Sequence, residues 1–115
     1  MTTHRGHCHC GIVEFEVSTD VREPFQCNCS FCIRRGAVLQ RVPGKDFQVL
    51  TGEAELTRYG ARTFSDHFFC RVCGIHVFTR ISRENDESVA VNLTCVDGLD
   101  LASLSPTLFD GAKLL

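Results

Sequence analysis

The sequence predicts a mainly β fold of short antiparallel strands with little helix, held together by bound metal. Three observations point there. Short apolar runs alternate with polar residues and break at glycine, proline and asparagine clusters. Helical periodicity is almost absent. Seven of the eight cysteines in the 115 residues fall into three tight clusters: Cys8-His-Cys10, Cys27-Asn-Cys29-Ser-Phe-Cys32 and Cys70-Arg-Val-Cys73.

The first strand is expected over Ile12 to Val17, with Val13, Phe15 and Val17 on one face and Ile12, Glu14 and Glu16 on the other. Ala37 to Val42 is a second apolar run, stopped by the turn cluster Pro43-Gly44-Lys45-Asp46. Phe47 to Leu50 and Glu53 to Tyr59 read as a pair about the Thr51-Gly52 break. Thr63 to Phe69 leads into the third cysteine cluster and Ile75 to Ile81 leads out of it. After a polar loop over Ser82 to Glu87, Val89, Val91 and Leu93 alternate as a last strand. The best helix is Ser30 to Arg35, with Ser30 as its cap and Gly36 at its end. Leu99 to Leu104 adds a turn. With no repeat, no linker and no βαβ rhythm, residues 1–115 read as one domain.

The formal charge of −2 and the lack of any basic run argue against nucleic acid or an anionic membrane as partner. No stretch approaches the roughly 18 apolar residues of a membrane span. No apolar leader follows Met1, so a cytoplasmic location with reduced thiols is expected.

Residues two apart on a strand point to one side, so Cys8 and Cys10 make a two-sulfur clip with His9 turned away between them. Cys70-x-x-Cys73-Gly74 is a zinc knuckle: its turn aims backbone N–H groups at the sulfurs, and the glycine removes a clashing Cβ. Together the two clips offer a closed four-sulfur site that would contribute folding free energy directly. Cys27, Cys29 and Cys32 offer three thiols at the opening of a short helix, whose N-terminus favours thiolate. Three protein ligands with a fourth position left open is the pattern of a catalytic zinc. Cys95, in Asn92-Leu-Thr-Cys95-Val-Asp97-Gly98, is the candidate fourth ligand that would close it, with His67 and His76 as weaker ones. His4, His7, His9, His67 and His76 are candidates for proton transfer or ligand support, and Arg34-Arg35 for attracting an anion.

At these residues the chain resembles the glutathione-dependent formaldehyde-activating enzyme family, which includes centromere protein V. The carrying segments are Gly6-His-Cys8-His-Cys10-Gly11, Cys27-Asn-Cys29-Ser30-Phe-Cys32, Phe69-Cys70-Arg-Val-Cys73-Gly74 and Asn92-Leu-Thr-Cys95-Val-Asp97-Gly98. The resemblance implies a zinc-containing β-tent of several small coiled antiparallel sheets. It implies a structural zinc on Cys8, Cys10, Cys70 and Cys73 and a second, catalysis-associated zinc on Cys27, Cys29 and Cys32, the second site being prone to partial occupancy. The implied activity is zinc-dependent carbon–sulfur lyase chemistry on a small-molecule thiol or thiol–aldehyde adduct such as S-hydroxymethylglutathione. The alternative is a non-catalytic zinc-binding domain that binds a protein partner. Asn28 stands where many relatives carry histidine, and Gly111-Ala-Lys-Leu-Leu115 lacks their aromatic ending. The missing basic extension disfavours the centromere branch.

Overall fold

Alternation over residues 12–17 buries Val13, Phe15 and Val17 almost completely and leaves Ile12 at the surface, because only one face of the strand meets apolar neighbours. The computed structural model describes all 115 residues, the side chain of Ala61 excepted. In chain order the strands are β1 (Thr3–His7), β2 (Glu14–Ser18), β3 (Phe25–Cys27), β4 (Leu39–Pro43) and β5 (Phe47–Thr51). They continue as β6 (Leu56–Arg62), β7 (Ser65–Cys70), β8 (His76–Arg83), β9 (Asp86–Asn92) and β10 (Thr107–Phe109). Two single-turn helices, α1 (Cys32–Arg35) and α2 (Gly111–Leu114), complete the set. Among the described residues, no helix is long and apolar enough to cross a membrane.

The strands form two sheets and no closed barrel. A three-stranded sheet runs β1-β2-β5, and a seven-stranded sheet runs β10-β3-β4-β9-β8-β7-β6. Aromatic rings join them: Phe15 on β2 packs on Phe47 at 5.4 Å, and Phe47 packs on Phe78 of β8 at 4.6 Å. Cys8 and Cys70, both fully buried, belong to the same core. Gly6 admits the close approach of Phe15: a Cβ there would run into the Phe15 ring and lie 2.6 Å from the Cys95 carbonyl.

The structure departs from expectation in places with local causes. Ile12 and Val13 precede β2 rather than opening it, since Gly11, at a φ of 82°, turns the chain around Cys8. Strand β1 was not expected; its sequence Thr-His-Arg-Gly-His carries no apolar alternation, and it is held by pairing with β2. The loop expected over Ser82 to Glu87 is a tight hairpin in which Arg83 pairs with Asp86. The sheets are not wholly antiparallel, because β10 returns alongside β3 in parallel. α1 begins at Cys32 after Phe31, with no side-chain cap from Ser30, whereas Gly36 does end it in the left-handed region, its N–H on the Cys32 carbonyl. The expected turn near Leu99 to Leu104 forms over Leu101–Ser103, capped by the Asp100 carboxylate on the Ala102 N–H.

Candidate metal sites and the cavity beside them

The two outer cysteine clips meet. The turn after β1, and not a strand, delivers Cys8 and Cys10; β7 delivers Cys70, and the turn after it delivers Cys73; all four sulfurs lie within 4.8 Å of one another. Cys8 and Cys10 sulfurs are 3.6 Å apart, and Cys10 and Cys70 sulfurs 3.7 Å. Tetrahedral zinc with Zn–S bonds of about 2.3 Å would space its sulfurs by about 3.8 Å, so the donor set fits that ion. The two loops share a hydrogen-bond pattern. Cys8 N–H donates to Val13 O at 3.0 Å, and Cys70 N–H donates to Ile75 O at 3.0 Å. Gly11 and Gly74 turn back at φ values of 82° and 80°, donating to the Cys8 and Cys70 carbonyls. Desolvation opposes ionisation of Cys73, but N–H groups of Cys10 and Ile75 outweigh it and bring the thiol down to about 6.

The middle cluster is a second group. Cys27 ends β3, Cys29 lies in the connecting turn and Cys32 opens α1, with their sulfurs again within 4.8 Å of one another. Cys29 N–H donates to Cys27 Sγ at 3.4 Å, and Cys32 N–H to Cys29 Sγ at 3.4 Å. Burial opposes the Cys29 thiolate, yet the Cys32 N–H and the neighbouring thiols bring it down to about 7. Cys32 is pushed up to about 12, mainly by burial, with Arg35 pulling the other way. The opening of the four-residue helix thus supports thiolate at Cys29, through the Cys32 N–H, and not at Cys32 itself. Arg35 supports Cys32, donating from Nη2 to its Sγ at 2.8 Å.

The arginine pair divides. Arg34 folds back onto the Ser30 carbonyl at 2.7 Å, while Arg35 turns inward. From Cys32 the polar contacts run through Arg35 to His76 Nε2 at 2.9 Å, on to Thr79 Oγ1 at 2.9 Å, and to His67 Nδ1 at 2.7 Å. Burial, reinforced by the Arg35 charge, lowers His67 to about 4 and His76 to about 2, so both rings are neutral near pH 7. The other histidines lie elsewhere: His4 on the Thr19 carbonyl, His7 on the Cys8 carbonyl and Asp97, and His9 at the surface.

Cys95 stands apart from the three-thiol group. It is buried in the core with Cys8, its Sγ donates to the His76 carbonyl at 3.6 Å, and burial pushes its thiol up to about 11. Cys95 does not join the group formed by Cys27, Cys29 and Cys32, because the turn carrying it after β9 packs into the core beside Cys8. The turn after Asn92 is the reason: Asn92 caps Leu93–Cys95 through Thr94 N and directs Cys95 inward.

Beside the three thiols lies a cavity of about 290 Å³, lined by Cys27, Cys29 and Cys32 together with Phe31, Arg35 and His67. The C-terminal segment borders it. Asn28 Nδ2 donates to Asp110 Oδ1 at 3.1 Å, and Ala112 N–H donates to Asn28 Oδ1 at 2.9 Å. Gly111 is packed so tightly there that a Cβ would lie 2.6 Å from Cys27 Sγ. Sequence reasoning missed this clamp and the Arg35–Thr79–His67 chain. Neither has a local pattern to betray it, since Arg35 lies 44 positions from Thr79 and Asn28 lies 82 from Asp110.

The sequence profile of the glutathione-dependent formaldehyde-activating enzyme family matches residues 3–109. The chain belongs to this family. A Rhodobacter sphaeroides protein of known crystal structure is similar to this family member along its length: 36% of residues are identical, with a TM-score of 0.83. The match covers 91% of the present chain and 99% of that one. For a member of a family described by a glutathione-dependent activity, the two thiol groups and the adjoining cavity are the parts able to engage a metal and a small molecule.

Proposed function

We propose that the protein is a zinc-dependent carbon–sulfur lyase-type enzyme acting on a thiol–aldehyde adduct, of which S-hydroxymethylglutathione is the example the family description suggests. One observation carries the reading: three thiols border a cavity, and Cys95, the candidate for closing the group, is held elsewhere. In this reading the Cys8–Cys10–Cys70–Cys73 group is structural and lies away from the chemistry. Zinc on Cys27, Cys29 and Cys32 would supply a Lewis acid and a position for an outside thiolate.

The chain's own residues then have definite tasks. Arg35 offsets negative charge on Cys32 and is itself fixed by His76 and Thr79. His67 lines the cavity as a neutral imidazole whose Nδ1 is engaged by Thr79. Its Nε2 has no protein partner among the described residues and can accept the hydroxyl proton of an adduct as the carbon–sulfur bond breaks. Phe31, stacked on His67 at 3.9 Å, keeps that ring in one orientation and excludes water from it. All eight cysteines are free, which suits a reducing compartment such as the cytoplasm.

The test is exchange between formaldehyde and its glutathione adduct, followed by two-dimensional exchange NMR with zinc-loaded protein. Acceleration by the wild-type chain, lost in Cys29→Ser while one zinc and the fold remain, is the expected result. No acceleration for any thiol with two zinc ions bound would leave the non-catalytic, partner-binding reading in its place.

A further inference from the structure

The walls of the cavity describe a ligand different from a charged tripeptide. Five aromatic rings line it: Phe25, Phe31, Tyr59, Phe64 and Phe109. Phe31 stacks on both His67 and Tyr59, at 3.9 Å and 5.5 Å, so part of that wall is a set of near-parallel planes. Leu39, Ile81, Ala90 and Leu115 add aliphatic surface. At about 290 Å³ the space lies at the small end for ligand sites.

Its charges are equally specific. Arg35 and Arg62 are the charged side chains in the lining, and among the described residues no Asp or Glu side chain joins them, although Asp66 lies close enough to favour protonation of His67. Arg35 is already committed to Cys32, His76 and Thr79. Arg62 has no ion pair or side-chain hydrogen bond among the described residues, and its charge is close enough to disfavour protonation of His67. Glutathione would bring two carboxylates and an ammonium. One free guanidinium can receive one carboxylate, and the ammonium would find no Asp or Glu side chain in the lining, which makes its burial there costly.

We propose that the adduct held here is that of a compact, mainly apolar thiol, aryl or alkyl, carrying at most one carboxylate, which Arg62 receives. The inference rests on the adduct-lyase reading above and narrows its substrate. The reaction is balanced without a further reagent. Sulfur of R–SH adds to the carbonyl carbon of formaldehyde, the carbonyl π pair moves to oxygen, and the thiol proton ends there, giving R–S–CH₂–OH; cleavage is the reverse.

Two measurements on the zinc-loaded full chain test it. In the first, phenylacetate, benzyl alcohol and S-methylglutathione are titrated against ¹⁵N-labelled protein. Phenylacetate is expected to shift the amides of Tyr59, Phe64 and Phe109 and to bind at least about tenfold more tightly than S-methylglutathione. Arg62→Gln should weaken phenylacetate by about tenfold and leave benzyl alcohol unchanged. In the second, formaldehyde exchange is compared for 4-(mercaptomethyl)benzoate and glutathione, with faster exchange expected for the aryl thiol. Equal or faster exchange of the glutathione adduct overturns the substrate class and keeps the lyase reading. Phenylacetate binding without acceleration of any adduct sinks the lyase reading and keeps the aryl-anion site. Absence of amide shifts at the cavity with phenylacetate overturns the inference itself.

Discussion

The Arg35 guanidinium donates to the Cys32 sulfur across 2.8 Å while its other terminal nitrogen contacts His76 and Thr79. A buried thiol that desolvation would keep protonated thus gains a fixed cation, and the cation is held by a polar chain rooted in β8. The three-thiol group is thereby tied to the seven-stranded sheet as well as to its own turn.

Removing that cation should weaken the middle site selectively. Arg35→Met is expected to lower metal affinity there by roughly 10- to 100-fold, the usual effect of losing a group that supports a ligand. The Cys8–Cys10–Cys70–Cys73 group should keep its affinity. Competition with a chromophoric chelator separates the two sites. Equal weakening of both, or of neither, would contradict the assignment.

Cys95→Ala decides whether Cys95 belongs to either donor set. Its sulfur donates to the His76 carbonyl and belongs to neither group of clustered thiols, so the metal-to-protein ratio should be two. The cost should be confined to lost packing, about 1–2 kcal/mol. Elemental analysis with thermal melting checks both. A fall to one metal ion would make Cys95 a ligand after all.

Gly111→Ala should act on the middle site from outside it. The new Cβ would lie 2.6 Å from Cys27 Sγ and 3.1 Å from Cys29 Cβ, so the C-terminal turn or the thiols must move. A loss of about 1–3 kcal/mol is expected from such overpacking, together with weaker second-site metal binding. Hydrogen exchange over residues 110–114 should rise as the Asn28 clamp loosens. Unchanged exchange and unchanged metal affinity would show that the segment does not brace the site.

His67 makes a pH prediction. Burial first, then the charges of Arg35 and Arg62, lower it from 6.5 to about 4, with Asp66 opposing. Between those values the unfolded chain carries the proton and the folded chain does not, so stability falls as pH falls through this window. In urea denaturation, the advantage of wild type over His67→Gln should shrink from pH 6.5 to 4. A constant difference would mean that the ring titrates alike in both states.

How much was legible differs by element. The alternating faces of Val13, Phe15 and Val17 could be read directly, because period-two burial is a local consequence of strand geometry; in β9 Ser88 to Asn92 are all buried, since neighbours cover both faces there. Strand β1 could not be read in this way, since its polar residues are ordered by pairing with β2. The parallel return of β10 onto β3 likewise leaves no sign in the three residues Thr107–Phe109.

The cysteine clusters divide along the same line. By itself the sequence determined that metal-ligand spacing exists and which thiols act together within each cluster, because Cys-x-Cys and Cys-x-x-Cys turns are local geometry. It also pointed to the outer two clips as partners. Tertiary structure alone decided that Cys95 turns away from the middle group, that Arg35 and not the end of α1 supports Cys32, and that aromatic walls with one free guanidinium face the thiols. Those are relations between residues distant along the chain. Their energies come from burial and from contacts that exist only once the two sheets have closed on one another.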